Sequence, residues 1–157
     1  MARDGDQCLM GCSIKGMGKE GPQVVDGAPT GLILNHAYSL NDIMEIEDPY
    51  DKNRPLRLLR LRNPWGNSEW NGAWSDDSDE MKKYKKVIEK YINSLPPDEQ
   101  FTLGDNDGTF MMHYSDWKES FSTLFLNLDF PEDWTGVRFN SSWTQGNSGG
   151  LPNTNTD

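Results

Sequence analysis

Histidine and cysteine, the side chains behind most metal sites and nucleophilic enzymes, are nearly missing from this 157-residue chain, which has two of each. No second His or Cys pair at zinc-ligand spacing stands beside Cys8 and Cys12. Cys8 and Cys12 lie four apart on a run that reads as extended, so they share a face but stand ~13 Å apart, too far for a disulfide. That pattern suits a reducing compartment, and a cytoplasmic protein is expected. Basic residues are scarce too: 15 Lys and Arg face 25 Asp and Glu, for a net charge of −10. Such a surface repels phosphate backbones and anionic lipid, which argues against nucleic-acid and membrane-surface binding. No apolar run approaches the ~20 residues of a membrane span, and MARDGDQ at the start lacks the apolar core of a signal peptide. The sequon at Asn140-Ser141-Ser142 needs secretion to matter and so carries no weight.

What remains is polar. Only 34% of residues are hydrophobic and the mean hydropathy is −0.79. The length suits one domain with a real core, together with loops or a tail. Leu9 to Ile14 reads as a strand. The Gly/Pro-rich stretch KGMGKEGPQVVDGAPTG has no periodicity and reads as a loop. Leu32 to Leu40 reads as one strand with Leu32, Leu34, His36, Tyr38 and Leu40 on a single face. Asp48-Pro49-Tyr50-Asp51 is a strong turn signal. Leu56 to Arg62 then reads as a further strand, whose adjacent Leu58 and Leu59 suggest burial on both faces. DEMKKYKKVIEKYIN (79–93) carries the helical stripe Met81, Tyr84, Val87, Ile88 and Tyr91, and Leu95-Pro96-Pro97 ends it. Gly108 to His113 reads as a strand, Ser115 as the N-cap of a short helix, and Leu124 to Leu128 as another strand. From Asn140 the chain is rich in Ser, Asn and Gly. These elements define an α+β fold, mostly antiparallel strands with one main helix.

The chemistry gathers on Arg62-Asn63-Pro64-Trp65-Gly66 and on His36. Asn-Pro is ordinary turn chemistry. A hairpin about Pro49-Tyr50, however, brings the start of one strand beside the end of the next, and His36 and Asn63 are symmetric about that turn. A histidine beside an asparagine amide is an arrangement that serves cysteine nucleophiles. The amide oxygen orients the imidazole, which takes the thiol proton and later returns it to the leaving amine.

Asn-His-Ala-Tyr-Ser (35–39), Leu-Arg-Asn-Pro-Trp-Gly (61–66) and Glu-Trp-Asn-Gly-Ala-Trp-Ser-Asp (69–76) resemble the second protease subdomain of the calpains, calcium-dependent, papain-like cysteine endopeptidases. Leu-Met-Gly-Cys-Ser-Ile (9–14) resembles the strand that opens that subdomain. Asp-Gly-Thr-Phe (107–110), with Met112 and Ser115-Asp116, resembles the family's acidic-glycine-aromatic strand and following helix. Trp143, Gly146 and Ser148-Gly149-Gly150 resemble the beginning of the next domain, a β-sandwich. The resemblance implies a papain-like half-domain over residues 1–130, and over 131–157 a linker and the start of that sandwich. It implies that His36 is the general base, that Asn63 orients it, and that Trp65 shields their hydrogen bond. Trp70 and Trp74 are expected in the core.

The family's nucleophile sits in the first subdomain on a Gln…Cys-Trp motif, which this chain does not contain. Cys8 and Cys12 are therefore expected to be structural. The chain is expected to be inactive alone, with the first subdomain and a protein or peptide substrate as partners. The resemblance also implies a Ca²⁺ ion held by the Glu69, Asp76 and Asp107 carboxylates and the Asp105 carbonyl, hard oxygen donors that suit this ion. Thr109 stands where the well-known calcium-binding members carry glutamate, which weakens such a site. A second reading makes the chain a non-catalytic, protease-like module that binds calcium or a partner protein. Retention of both His36 and Asn63 favours the catalytic one.

Overall fold

The computed structural model describes residues 8–104, 107–128, 135–142, 144 and 146. The strands are β1 (Cys8–Ser13), β2 (Gly21–Val25), β3 (Ala28–Leu34), β4 (Ala37–Ile46), β5 (Leu56–Arg62), β6 (Thr109–His113) and β7 (Thr123–Leu128); the helices are α1 (Asp79–Ser94) and α2 (Tyr114–Ser120). Five strands form an antiparallel sheet in the order β6-β5-β4-β1-β7, and β2 pairs with β3 as a separate ribbon. The α+β class expected from the sequence is the observed one. Among the described residues no helix is long and apolar enough to cross a membrane.

The expected loop before Leu32 is instead the β2–β3 hairpin. Its turn is Asp26-Gly27, with φ of 52° and 81°, and positive φ at both central residues is what the type I′ hairpin turn requires. The Asp-Gly pair was the signal available for it. The strand expected over Leu32 to Leu40 is two strands. Asn35 sits at φ 56°, a left-handed conformation that asparagine tolerates better than most residues. Its N–H donates to Ile14 O at 2.7 Å, and the chain leaves the ribbon there to enter the main sheet.

Hydrophobic residues cover both faces of that sheet. One cluster holds Cys12, Leu32, Tyr38, Leu40, Leu59, Leu61, Phe110 and Met112. The other holds Met44, Ile46, Leu58, Met111 and the apolar stripe of α1. Leu58 and Leu59 point into opposite clusters, so β5 is buried on both sides as its sequence suggested. A register shift between Leu40 and Asp42 explains why even-numbered residues of β4 serve one cluster before it and the other after it. One extra residue in a strand exchanges its faces.

The α1 stripe buries Met81, Tyr84, Ile88 and Ile92, with Val87 and Tyr91 only partly covered. Ser78 caps it by accepting from Met81 N–H at 3.1 Å. Leu95 leaves in extended geometry, as the residue before a proline must. The short α2 is capped by His113 rather than Ser115: the Ser115 N–H donates to His113 Nδ1 at 3.2 Å. An imidazole nitrogen is as good an acceptor there as a hydroxyl.

Candidate active site

His36 and Asn63 meet at the end of the sheet. His36 Nε2 lies 2.8 Å from Asn63 Oδ1, with His36 7% and Asn63 0% exposed. The register differs from a hairpin centred on Pro49-Tyr50. Ile46 pairs with Leu56, which centres the hairpin on Asp51, and Ser39 pairs with Arg62 beyond the register shift. His36 precedes the first residue of β4 and Asn63 follows the last residue of β5. They are brought together as strand flanks, not as a ladder pair.

Every polar atom of the Asn63 side chain is engaged. Nδ2 donates to Ser68 O at 3.0 Å, and Oδ1 accepts from Trp65 N–H at 3.1 Å as well as facing His36. These two partners fix which end of the amide is oxygen, and so require the proton of His36 on Nε2. The backbone is pinned too: Asn63 N–H donates to Gly108 O at 2.8 Å and Gly66 N–H to Asn63 O at 3.0 Å. Pro64 holds the turn that closes this ring of bonds.

Three aromatic or charged groups surround the imidazole. The Trp65 ring lies tilted over it, centroids 4.4 Å apart, while remaining half exposed. The Tyr38 ring meets it edge-on at 5.1 Å and is fixed by a 2.8 Å hydrogen bond from Ile33 N–H to its hydroxyl. Glu20, half exposed, pairs through Oε1 with His36 Nδ1. No motif or period marks Glu20, which sits 16 residues upstream of His36 on a glycine-rich loop.

Trp74 belongs to the core, and Trp70, partly buried, packs against it. Trp70 donates from Nε1 to Ala73 O at 2.8 Å, and Trp74 is 8% exposed between Tyr84 and His113. The loop that carries them is fastened to β3 by Asn71, whose N–H reaches Thr30 O at 3.1 Å and whose side chain reaches Pro29 O at 2.9 Å. Cys12 is fully buried in the sheet. Burial pushes its thiol up to about 11, against a weaker opposing effect of the Trp117 side chain, so it stays protonated near neutral pH. Cys8 is partly exposed and unpaired.

The acidic residues divide. Asp76 and Asp107 line one cavity of about 170 Å³ together with Arg60. Glu69 Oε1 accepts from Gly108 N–H at 2.8 Å, which ties the tryptophan loop to the acidic-glycine loop. Hydrogen bonds from the Thr109 side chain and N–H hold the Asp107 carboxyl below its usual range. Arg60 stacks on Phe101 at 4.1 Å; burial lowers its pKa, opposed by the charges of Asp42 and Asp107. Among the described residues no three His, Cys, Asp or Glu side chains converge into a ready metal cluster. Asp105 lies outside the described residues, as do Trp143 and Ser148 to Gly150.

The fold and motifs define a protease-type domain, and comparison with known proteins agrees. Residues 1–127 match the calpain family cysteine protease description. The chain is 33% identical over 154 residues to human calpain-8, covering 90% of this chain and 19% of that protein. It is 36% identical over 163 residues to a calpain of Schistosoma mansoni, covering 95% of this chain and 19% of that protein. It is 33% identical over 158 residues to calpain-B of Drosophila melanogaster, covering 90% of this chain and 16% of that protein. The chain belongs to the calpain family of cysteine proteases, and spans 16% to 19% of the length of these relatives.

Proposed function

We propose that this chain is the base-bearing half of a calpain-type cysteine endopeptidase site, with His36 as general base and Asn63 as its orienting partner. The observation that carries the reading is the buried 2.8 Å contact between His36 Nε2 and Asn63 Oδ1, with the asparagine amide fixed on all sides. With Nε2 protonated and held, Nδ1 is the nitrogen left to accept a proton. A cysteine thiol supplied by the first protease subdomain gives its proton to Nδ1, and the sulfur attacks the substrate carbonyl carbon. The C–N bond breaks as that proton passes to the leaving amine. Water then adds to the acyl carbon, its proton taken by Nδ1, and the C–S bond breaks as the proton returns to sulfur. Trp65 covers the His36–Asn63 bond and keeps water from competing for it. Cys12 is unsuited to the nucleophile's role because burial keeps it protonated, so the chain is inactive without the first subdomain.

By the same reading, residues 1–130 are the second subdomain and 131–157 lead into the next domain, in a cytoplasmic protein acting on protein or peptide substrates. By the family resemblance, a calcium ion would take carboxylate oxygens from Glu69, Asp76 and Asp107 and a carbonyl from Asp105, which lies outside the described residues; the described carboxylates do not converge into a ready cluster. Two of these groups already share a cavity. Bound there, calcium would neutralise charge between the tryptophan loop and the acidic-glycine loop. Arg60 in the same cavity and Thr109 in place of a carboxylate make the site weak.

The test is peptide cleavage by the full-length protein and by its His36→Ala and Asn63→Ala variants. Loss of cleavage in His36→Ala supports the reading, and unchanged cleavage sinks it.

A further inference from the structure

The nitrogen that must receive the thiol proton is already taken. His36 has two ring nitrogens: Nε2 is committed to Asn63 Oδ1, and Nδ1 faces the Glu20 carboxylate. With Nε2 carrying a proton, the Nδ1–Oε1 contact holds one further proton between the ring nitrogen and the carboxyl. Nδ1 is therefore engaged by Glu20 on its solvent side. A thiol that gives its proton to this base needs the same nitrogen.

Glu20 is not at this place by accident of a loose loop. The residues before it are fastened to the base strand by Asn35, which immediately precedes His36. Asn35 Oδ1 accepts from Gly16 N–H at 2.9 Å, and its Nδ2 donates to Gly18 O at 3.2 Å and Lys19 O at 3.4 Å. The residue after Glu20, Gly21, pairs with Leu34 in the β2–β3 ribbon. Glu20 is held on both sides by the two residues that lead into His36. Further back, Gly16 packs so closely on Leu34 that a Cβ there would meet its side chain at 2.8 Å. Sequence neighbours of the base therefore aim the carboxylate at the base. Its side chain is 45% exposed, so it forms the solvent-side cover of Nδ1.

We infer that Glu20 is a built-in plug for the base: its carboxylate occupies the place of the nucleophilic sulfur while this subdomain stands alone, and the incoming cysteine displaces it. The inference rests on the reading of His36 as the base, and deepens it by naming what guards that nitrogen. A half-exposed carboxylate regains water when it swings away, so displacement needs no rearrangement of the sheet.

Carbethoxylation by diethyl pyrocarbonate tests the plug without any peptide substrate, since it reports access to an unprotonated imidazole nitrogen. The chain has two histidines, so His113 serves as the internal reference, and both modified peptides are quantified by mass spectrometry at neutral pH. In Glu20→Ala the rate at His36 relative to His113 is expected to rise about tenfold, with circular dichroism unchanged. A ratio equal to that of the unmodified chain overturns the inference. Because the ring is also flanked by Trp65 and Tyr38, the ¹⁵N shift of His36 Nδ1 is the second measurement: Glu20→Ala changes it, through loss of the carboxyl contact, if the plug is real and leaves it in place if not. Both readouts decide the role of Glu20 whether or not the full-length protein cleaves peptides, so failure here and failure of the endopeptidase reading are separable.

Discussion

A Cβ at Gly108 would stand 2.7 Å from Asn63 O and 2.8 Å from Gly66 Cα. The glycine of the acidic-glycine loop therefore lies directly beneath Asn63, the proposed partner of His36. Its φ of +87° is also one that other residues adopt only with strain. Gly108→Ala is expected to lower stability by about 2 kcal/mol or more and to weaken the His36–Asn63 contact. Urea unfolding reads the first effect and the His36 Nε2–H resonance the second. A variant as stable as the parent, with that resonance unmoved, would show that the loop tolerates the side chain.

Beyond its proposed orienting role, Asn63 ties the turn together. Truncation to alanine removes the acceptor for Trp65 N–H and His36 Nε2–H and the donor to Ser68 O. Leaving such buried groups without partners costs about 1–3 kcal/mol each, partly relieved by water because Trp65 is half exposed. Asn63→Ala is expected to lose about 2 kcal/mol in denaturant unfolding. In the full-length protein it should also reduce cleavage without abolishing it, since His36 remains. Loss of stability with full cleavage would reduce Asn63 to a structural role.

The buried Cys12 gives the fold an alkaline limit. Its thiol titrates at about 11 in the folded chain against an ordinary value of 9.0. Between those values the folded state keeps a proton that the unfolded state has lost. The contribution to stability is therefore complete below pH 9 and is lost as pH rises towards 11, amounting to about 3 kcal/mol. Tyr38, pushed by burial to about 12 from 10.0, adds a second decline above pH 10. Cys12→Ala is expected to be less stable at neutral pH but to show a flatter profile between pH 9 and 10. An identical slope in the variant would mean that the thiol is not the titrating group.

Calcium offers a test through Arg60. The guanidinium shares the cavity of Asp76 and Asp107 and opposes any cation there. Calorimetry is expected to show weak calcium binding by the chain, tightened several-fold in Arg60→Met. Heat signals that stay flat at millimolar calcium in both proteins would remove the ion from the account.

Much of this was legible in the sequence, for physical reasons that differ by element. The β5 strand and α1 could be read because their apolar periods are set by burial, and α1 is bracketed by Ser78 and a double proline. The His36–Asn63 pair was legible through motif and approximate hairpin symmetry, although Asp51 rather than Pro49-Tyr50 is the centre. The β2–β3 ribbon was hidden because Pro22 and Pro29 interrupt a run with little alternation, and its Asp-Gly turn was the one local signal. The break at Asn35 was masked by apolar alternation that continues across it. Glu20 could not be read at all. Its approach to His36 depends on side-chain bonds from Asn35 to a loop whose own residues carry no period.

The most direct measurement is the rate of fluorogenic peptide hydrolysis by the full-length protein carrying His36→Ala, beside the unsubstituted protein. The parent is expected to cleave and the variant to fall by at least three orders of magnitude, while its unfolding midpoint stays within the range of a folded protein. Cleavage by the variant at the parent's rate would contradict the assignment of His36 as the base.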